Sequence, residues 1–396
     1  MPSLFLRPLA LAPIVLAAAC NALFGIEEAD DDDAAGGPGA AGAAGGGGPA
    51  GGAGRGDAGA GGARAGTGGA GGTSAAGAPG AAGAGGAAGG EPKGPVEFTR
   101  AAGPVTSLAA DATHLYVATS SGAAVYRVPL AGGEPEPLAA PALPSLGFLT
   151  ASPGGLFWIG RPEGANVVQG VSLIGGPLAT LASGPTNQFN YLSATASRLY
   201  LRSSLSLIVT SSFAGGGLST VFEDVDESTP LADIVAHPVI WQSSLFWFSN
   251  TSETPIKLKR ATLAPDGLSA SGPTTLLENL SASNLVARDA TLYWSQTDAG
   301  TRRVVRMPVD AVAPSHVTTA DSTISDLAVG DAHVYILETH GIFILPKERL
   351  VRRAPRAGGP LETLSPRDVV VSALAVAGSA AFWAEGEVIF RQSDAP

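Results

Sequence analysis

From Val96 onward, apolar and polar positions follow a recurring pattern whose most visible mark is an apolar-aromatic triplet. The triplet occurs seven times, as Leu115-Tyr116-Val117, Leu156-Phe157-Trp158, Leu199-Tyr200-Leu201, Leu245-Phe246-Trp247, Leu292-Tyr293-Trp294, Val334-Tyr335-Ile336 and Ala381-Phe382-Trp383. Successive central aromatics lie 41, 43, 46, 47, 42 and 47 residues apart. An apolar pair such as Leu108-Ala109 or Leu327-Ala328 precedes the triplet across a polar turn, which predicts two antiparallel strands. An alternating segment follows, such as Val125-Tyr126-Arg127-Val128 or Val304-Val305-Arg306-Met307, whose period of two predicts a third strand. Gly132-Gly133, Gly175-Gly176-Pro177 and Gly358-Gly359-Pro360 then turn the chain into fourth strands at Glu134–Leu138, Leu178–Leu181 and Leu361–Leu364. Four strands in a period near 44 residues describe a propeller blade, so the pattern predicts an all-β, seven-bladed β-propeller.

The seventh unit ends at Phe390-Arg391-Gln392 before a fourth strand can form. A spare strand-like segment, Val96-Glu97-Phe98-Thr99-Arg100, precedes the first unit. Pairing the two closes the ring and protects the edges that an open array would expose.

Tyr293-Trp294-Ser295-Gln296 followed by Arg306-Met307-Pro308-Val309 resembles the repeat of YWTD propellers, and Tyr116 with Tyr126-Arg127-Val128-Pro129-Leu130 resembles it more loosely. The resemblance spans about Val96 to Gln392 and implies extracellular binding without naming a ligand.

Composition divides the chain. Ala34–Pro95 is almost wholly Gly and Ala and lacks the large side chains a core requires, which predicts a disordered stalk. Treated as a flexible coil, such a stalk spans on the order of 40–50 Å. Within it, Gly54-Arg55-Gly56-Asp57-Ala58-Gly59 fits a phosphate-loop spacing, but no strand precedes it and no helix follows, so it carries no binding prediction. Its Arg55-Gly56-Asp57 tripeptide is likewise an accident of composition.

Met1–Ala19 reads as a secretory signal, with Arg7, an apolar stretch from Leu9 to Leu16 and three small residues before Cys20. Cys20 is the single cysteine, so no intrachain disulfide can form. Leu16-Ala17-Ala18-Ala19-Cys20 resembles the lipobox of bacterial lipoproteins, although Ala17 stands where that motif usually has Leu. The resemblance implies lipidation at Cys20 and, with Asn21 rather than Asp following, export to the outer membrane or cell surface. The alternative is plain cleavage after Ala19, leaving a soluble protein with a free thiol. The expected organisation is therefore a signal peptide at Met1–Ala19, a lipid-anchored stalk at Cys20–Pro95 and a propeller at Val96–Pro396.

The net charge of −11 and the scattered distribution of Lys and Arg argue against a nucleic-acid partner. The densest basic run, Lys347–Arg356, reads as a solvated hairpin loop.

The five histidines show no zinc-ligand spacing; His114 and His333 occupy equivalent turn positions, while His237, His316 and His340 fall in separate units. No Gly-x-Ser-x-Gly elbow is present. The residue before the first-strand apolar pair is Ser107, Phe148, Tyr191, Asp233, Asn284, Asp326 and Ala373 in the seven units. Innermost strands line the channel, so Asp233, Asn284 and Asp326 would sit side by side near its mouth. Three oxygen-bearing side chains there could hold Ca²⁺ or a polar ligand, or simply start their strands as Asx turns. Two functional classes follow. One is a surface-displayed binding or scaffolding module for a protein or polysaccharide; the other is a propeller enzyme of the lactonase, lyase or dehydrogenase type, with a metal or redox cofactor at the channel mouth.

Overall fold

The computed structural model describes residues 94–393, except for short segments at 121–123, 142, 144–145, 163–164, 186–188, 204–206, 214–216, 224–233, 251–254, 343–344 and 366–368. The signal peptide, Cys20, the stalk and Asp233 all lie outside the described residues. Among those described, no helix is long and apolar enough to cross a membrane.

The described residues form seven four-stranded antiparallel sheets, each a blade. In blade one the strands are Val105–Ala110, His114–Thr119, Val125–Pro129 and Glu136–Ala139, in that spatial order. The first strand of every blade packs against the first strands of both neighbours, so these seven line a closed ring. Blade seven supplies three strands, and its outer place is taken by Val96–Arg100, antiparallel to Val388–Ser393 with Val96 opposite Arg391. The expected closure by the leading strand is thus present.

The triplets form the middle of each second strand, and their burial explains why they are continuously apolar. Leu115 and Val117 pack into a cluster with Phe382 and Ala375 of blade seven, while Tyr116 and Ala118 pack with Leu156 and Trp158 of blade two. A strand buried on both faces cannot alternate apolar with polar. Among the described residues there is accordingly no single core but seven clusters, one at each seam between blades. Trp158, Trp247, Trp294 and Trp383 are all fully buried in these seams.

A second device repeats around the ring. The third-strand residue opposite the central aromatic is Arg127, Gly170, Thr210, Arg260, Arg306, Arg353 and Arg391 in blades one to seven. Each of the five arginines donates to a backbone carbonyl of the next blade: Arg127 to Leu173 (3.1 Å), Arg260 to Val309 (3.4 Å), Arg306 to Arg356, Arg353 to Ser393 (3.2 Å), and Arg391 to Leu130 (3.2 Å). The two remaining seams are joined otherwise. At Gly170, Phe213 of blade three stacks on Phe157 with centroids 4.5 Å apart, in space that a Cβ at Gly154 would enter at 1.8 Å. At Thr210, Arg198 and Tyr200 reach forward instead to the carbonyls of Asp266 (2.6 Å) and Gly267 (3.2 Å).

The Lys347–Arg356 run is not a solvated loop. All of it but Arg356 falls within Leu345–Pro355, the third strand of blade six, where Leu350, Val351 and Ala354 are buried. Two of its arginines are committed to ion pairs: Arg352 with Glu338 (2.9 Å) and Asp321 (2.6 Å), and Arg353 with Glu362 (2.8 Å). Just beyond the strand, Arg356 pairs with Asp289 at 2.8 Å. The fourth strand there is only Glu362–Thr363.

Candidate functional site

Every innermost strand is broken by a β-bulge at the same level. The irregularities fall between Val105 and Ser107, Gly147 and Thr150, Asn190 and Leu192, Ala236 and Val239, Ser283 and Val286, Ile324 and Asp326, and Val371 and Ala373. A bulge inserts a residue and re-aims its side chain. The register then identifies the residues that share this level: counting back two from the partner of each central aromatic gives Ser107, Phe148, Tyr191, His237, Asn284, Asp326 and Ala373.

In blade four the ring residue is therefore His237, whereas Asp233 precedes the strand Ile234–Trp241 and lies outside the described residues. The sequence did contain the signal, since the ring residue stands nine positions before the central aromatic in every other blade, as Ser107 does before Tyr116. Ile234-Val235 resembles the usual apolar pair, which puts the expected position at Asp233, four residues before the one the register gives.

The ring residues link neighbouring innermost strands. Ser107 Oγ accepts the Leu149 N–H of blade two (3.2 Å), Phe148 meets Tyr191 of blade three edge-on (5.9 Å), and Asn284 Nδ2 donates to the Ile324 carbonyl of blade six (3.0 Å). Phe148, Tyr191 and Asn284 hold φ values of 53°, 56° and 55°. For residues as bulky as Phe and Tyr this left-handed backbone is costly, and such strain is maintained where the surrounding structure dictates it, often at functional sites.

The ring has two chemically distinct arcs. In blades two and three, Phe148 is 41% exposed and Tyr191 lies over the guanidinium of Arg202, which is 5.0 Å from the ring centroid and only 9% exposed. Burial pushes the Tyr191 phenol up and the Arg202 guanidinium down, and each partly offsets the shift of the other. In blades five and six the arc is polar. Asn284 Nδ2 also donates to Ser295 Oγ (3.2 Å), so both its donor hydrogens are committed and its carbonyl oxygen remains as an acceptor. Asp326 keeps partial solvent contact, and its Oδ1 accepts the Leu327 N–H at 2.8 Å. Protein nonetheless encloses the carboxyl closely enough that burial pushes it up to about 6, only partly opposed by that hydrogen bond.

Together Asn284 and Asp326 offer few oxygens to a hard cation, whereas Ca²⁺ takes roughly six to eight. Among the described residues, no group of three or more His, Cys, Asp or Glu side chains is placed to hold a metal ion. Three histidines have separate partners: His114 bonds Thr113 Oγ1 (2.8 Å), His316 bonds Thr319 Oγ1 (3.0 Å), and His340 lies 3.7 Å from Glu338. At the turn before the first triplet, Asp111 accepts from the backbone of Thr113 and His114 and from the Tyr116 hydroxyl (2.7 Å). His114 therefore belongs to a structural turn.

No family model matches the chain, and neither does any curated protein. Solved structures do. A puromycin hydrolase superposes with a TM-score of 0.53 at 12% identity, over 75% of this chain and 54% of that one. A prolyl endopeptidase gives 0.52 at 13%, over 76% and 51%. YCF48 bound to a D1 peptide gives 0.51 at 10%, over 76% and 94%. The likeness is one of fold. This chain spans about half the length of the hydrolase and endopeptidase chains it matches.

Proposed function

We propose that this chain is a binding propeller displayed on the cell surface, and that it engages an extended peptide or polysaccharide across the bulged mouth of its channel. The observation that supports this most is the pair of ring aromatics, Phe148 and Tyr191, held at positive φ with one ring exposed. A strained aromatic that faces solvent, as Phe148 does, adds nothing to a buried core, but beside the half-buried Tyr191 it offers a flat apolar face across the ring from the hydrogen-bonding groups of Asn284 and Asp326. The YWTD-like strand pattern around Tyr293–Gln296 and the fold likeness to a propeller solved with a bound peptide agree with this reading.

The test is direct binding of the full chain to immobilised peptide and glycan libraries. Phe148→Ala and Tyr191→Ala are expected to weaken any ligand found by tenfold or more while the protein stays folded. Unchanged affinity in both variants would remove the channel mouth from consideration. Turnover by the native chain that disappears in Asp326→Asn would instead favour the enzyme reading, because a carboxyl titrating near 6 suits acid-base work.

Display rests on Cys20. Each buried methylene contributes about 0.8 kcal/mol, so the two or three chains of a lipoprotein would anchor it stably. Cys20→Ser is expected to move the protein from the membrane fraction to the soluble exported fraction, with loss of the acyl mass; unaltered fractionation would argue for plain signal cleavage.

A further inference from the structure

A cavity of about 60 Å³ lies at the seam of blades five and six, away from the aromatic arc. Ser281, Gln296, Thr297 and Arg302 of blade five line it together with Thr323 of blade six, and no carboxylate does. Its hydrogen-bonding inventory is one-sided. Two further lining residues satisfy each other: Ser283 and Ser295 hydroxyls lie 2.8 Å apart, Ser295 Oγ donates to the Ser283 carbonyl (3.1 Å), and Asn284 Nδ2 donates to Ser295 Oγ. They form a fixed floor.

The remaining polar groups are mostly donors. The Trp294 indole N–H can only donate, and it bonds Gln296 Oε1 at 3.1 Å. That contact fixes which end of the amide is taken and leaves the two hydrogens of Nε2 free. Arg302 is partly buried, yet among the described residues no hydrogen bond or ion pair engages its guanidinium, whereas the adjacent Arg303 pairs with Asp298 at 3.2 Å. The side-chain hydroxyls of Ser281, Thr297 and Thr323 are likewise without a partner among the described residues. A guanidinium, an amide NH₂ and three hydroxyls around a small cavity free of acidic groups make an environment that a negatively charged oxygen group would complete.

We propose that this seam cavity is an oxyanion site, which takes a carboxylate or sulfate group against Arg302, with Gln296 and Thr297 as orienting donors. The site does not depend on the reading of the channel mouth. The same chemistry is presented by an acidic sugar and by a free inorganic anion, so both are tested. Thermal unfolding of the full chain is followed with increasing sodium sulfate, sodium glucuronate, glucose and sodium chloride, the salts at matched ionic strength.

Sulfate stabilises many proteins without binding at a site, so saturation and the response of variants decide the outcome. The expected result is a saturable upward shift with sulfate or glucuronate but not with glucose or chloride, and an apparent Kd raised at least tenfold by Arg302→Gln and several-fold by Thr297→Val. Tighter binding of glucuronate would identify an acidic sugar as the ligand class, and tighter binding of sulfate a free inorganic anion. A shift that never saturates beyond chloride, or one that persists in Arg302→Gln, overturns the proposal. The unfolding midpoint of each variant without anion separates loss of binding from loss of folding.

Discussion

Asp326 carries a pH dependence whose direction is fixed by its surroundings. Its carboxyl titrates near 6 in the folded protein against 3.8 ordinarily, so the native state holds the proton more tightly than the unfolded chain. Its favourable contribution is complete below the unfolded pKa, near 4, and is lost as pH rises through 6. Above that, the charged form costs at most about 3 kcal/mol, less whatever channel water recovers. Asp326→Asn keeps the acceptor for the Leu327 N–H, so the variant is expected to melt higher than the native protein at pH 8 and to match it near pH 4. Equal differences at both values would show that burial is not the cause. Gly154 makes the opposite case, in which a single added methyl must displace the ring of Phe213; Gly154→Ala is expected to cost about 1–3 kcal/mol in denaturant melts. Residue-level features were unevenly legible. The nine-residue interval from ring position to aromatic was visible in the sequence and would have given His237, but the bulges at this level come from ladder geometry, which no residue type marks.

At the scale of strands, an arginine opposite the central aromatic ties five of the seven blades to the next. Arg306 bonds the Arg356 carbonyl, while Arg356 itself reaches Tyr293 Oη (3.0 Å) and Asp289 (2.8 Å), so blades five and six are held from both sides. Arg306→Met keeps the aliphatic stem and removes the donor; the expected cost is about 1–3 kcal/mol, measured by chemical denaturation with an unchanged m-value. A stability equal to native would show that the contact is incidental. The apolar triplets made every second strand readable because burial on two faces leaves little choice of residue. The third strand of blade six was hidden for the converse reason: Arg349, Arg352 and Arg353 gave Leu345–Pro355 the composition of a loop, and the acids that pair with Arg352 and Arg353, namely Asp321, Glu338 and Glu362, come from elsewhere in the chain.

For the whole propeller, stability resides in seven interblade clusters, and each second strand feeds two of them. A large truncation in one seam therefore weakens a ring and not an isolated blade. Trp294→Ala is expected to cost about 3–5 kcal/mol and to lower the melting temperature of the entire domain as one transition; a separate early transition confined to blades four and five would contradict this. The strand that seals the ring has a further consequence. Val96–Arg100 precedes its partner Val388–Ser393 by nearly three hundred residues, so during synthesis the earliest segment of the domain must wait, with its edge unsatisfied, until the last has arrived. Any ribosome stall, protease cut or premature stop before Val388 leaves two open sheet edges in one molecule, each a template for joining another copy.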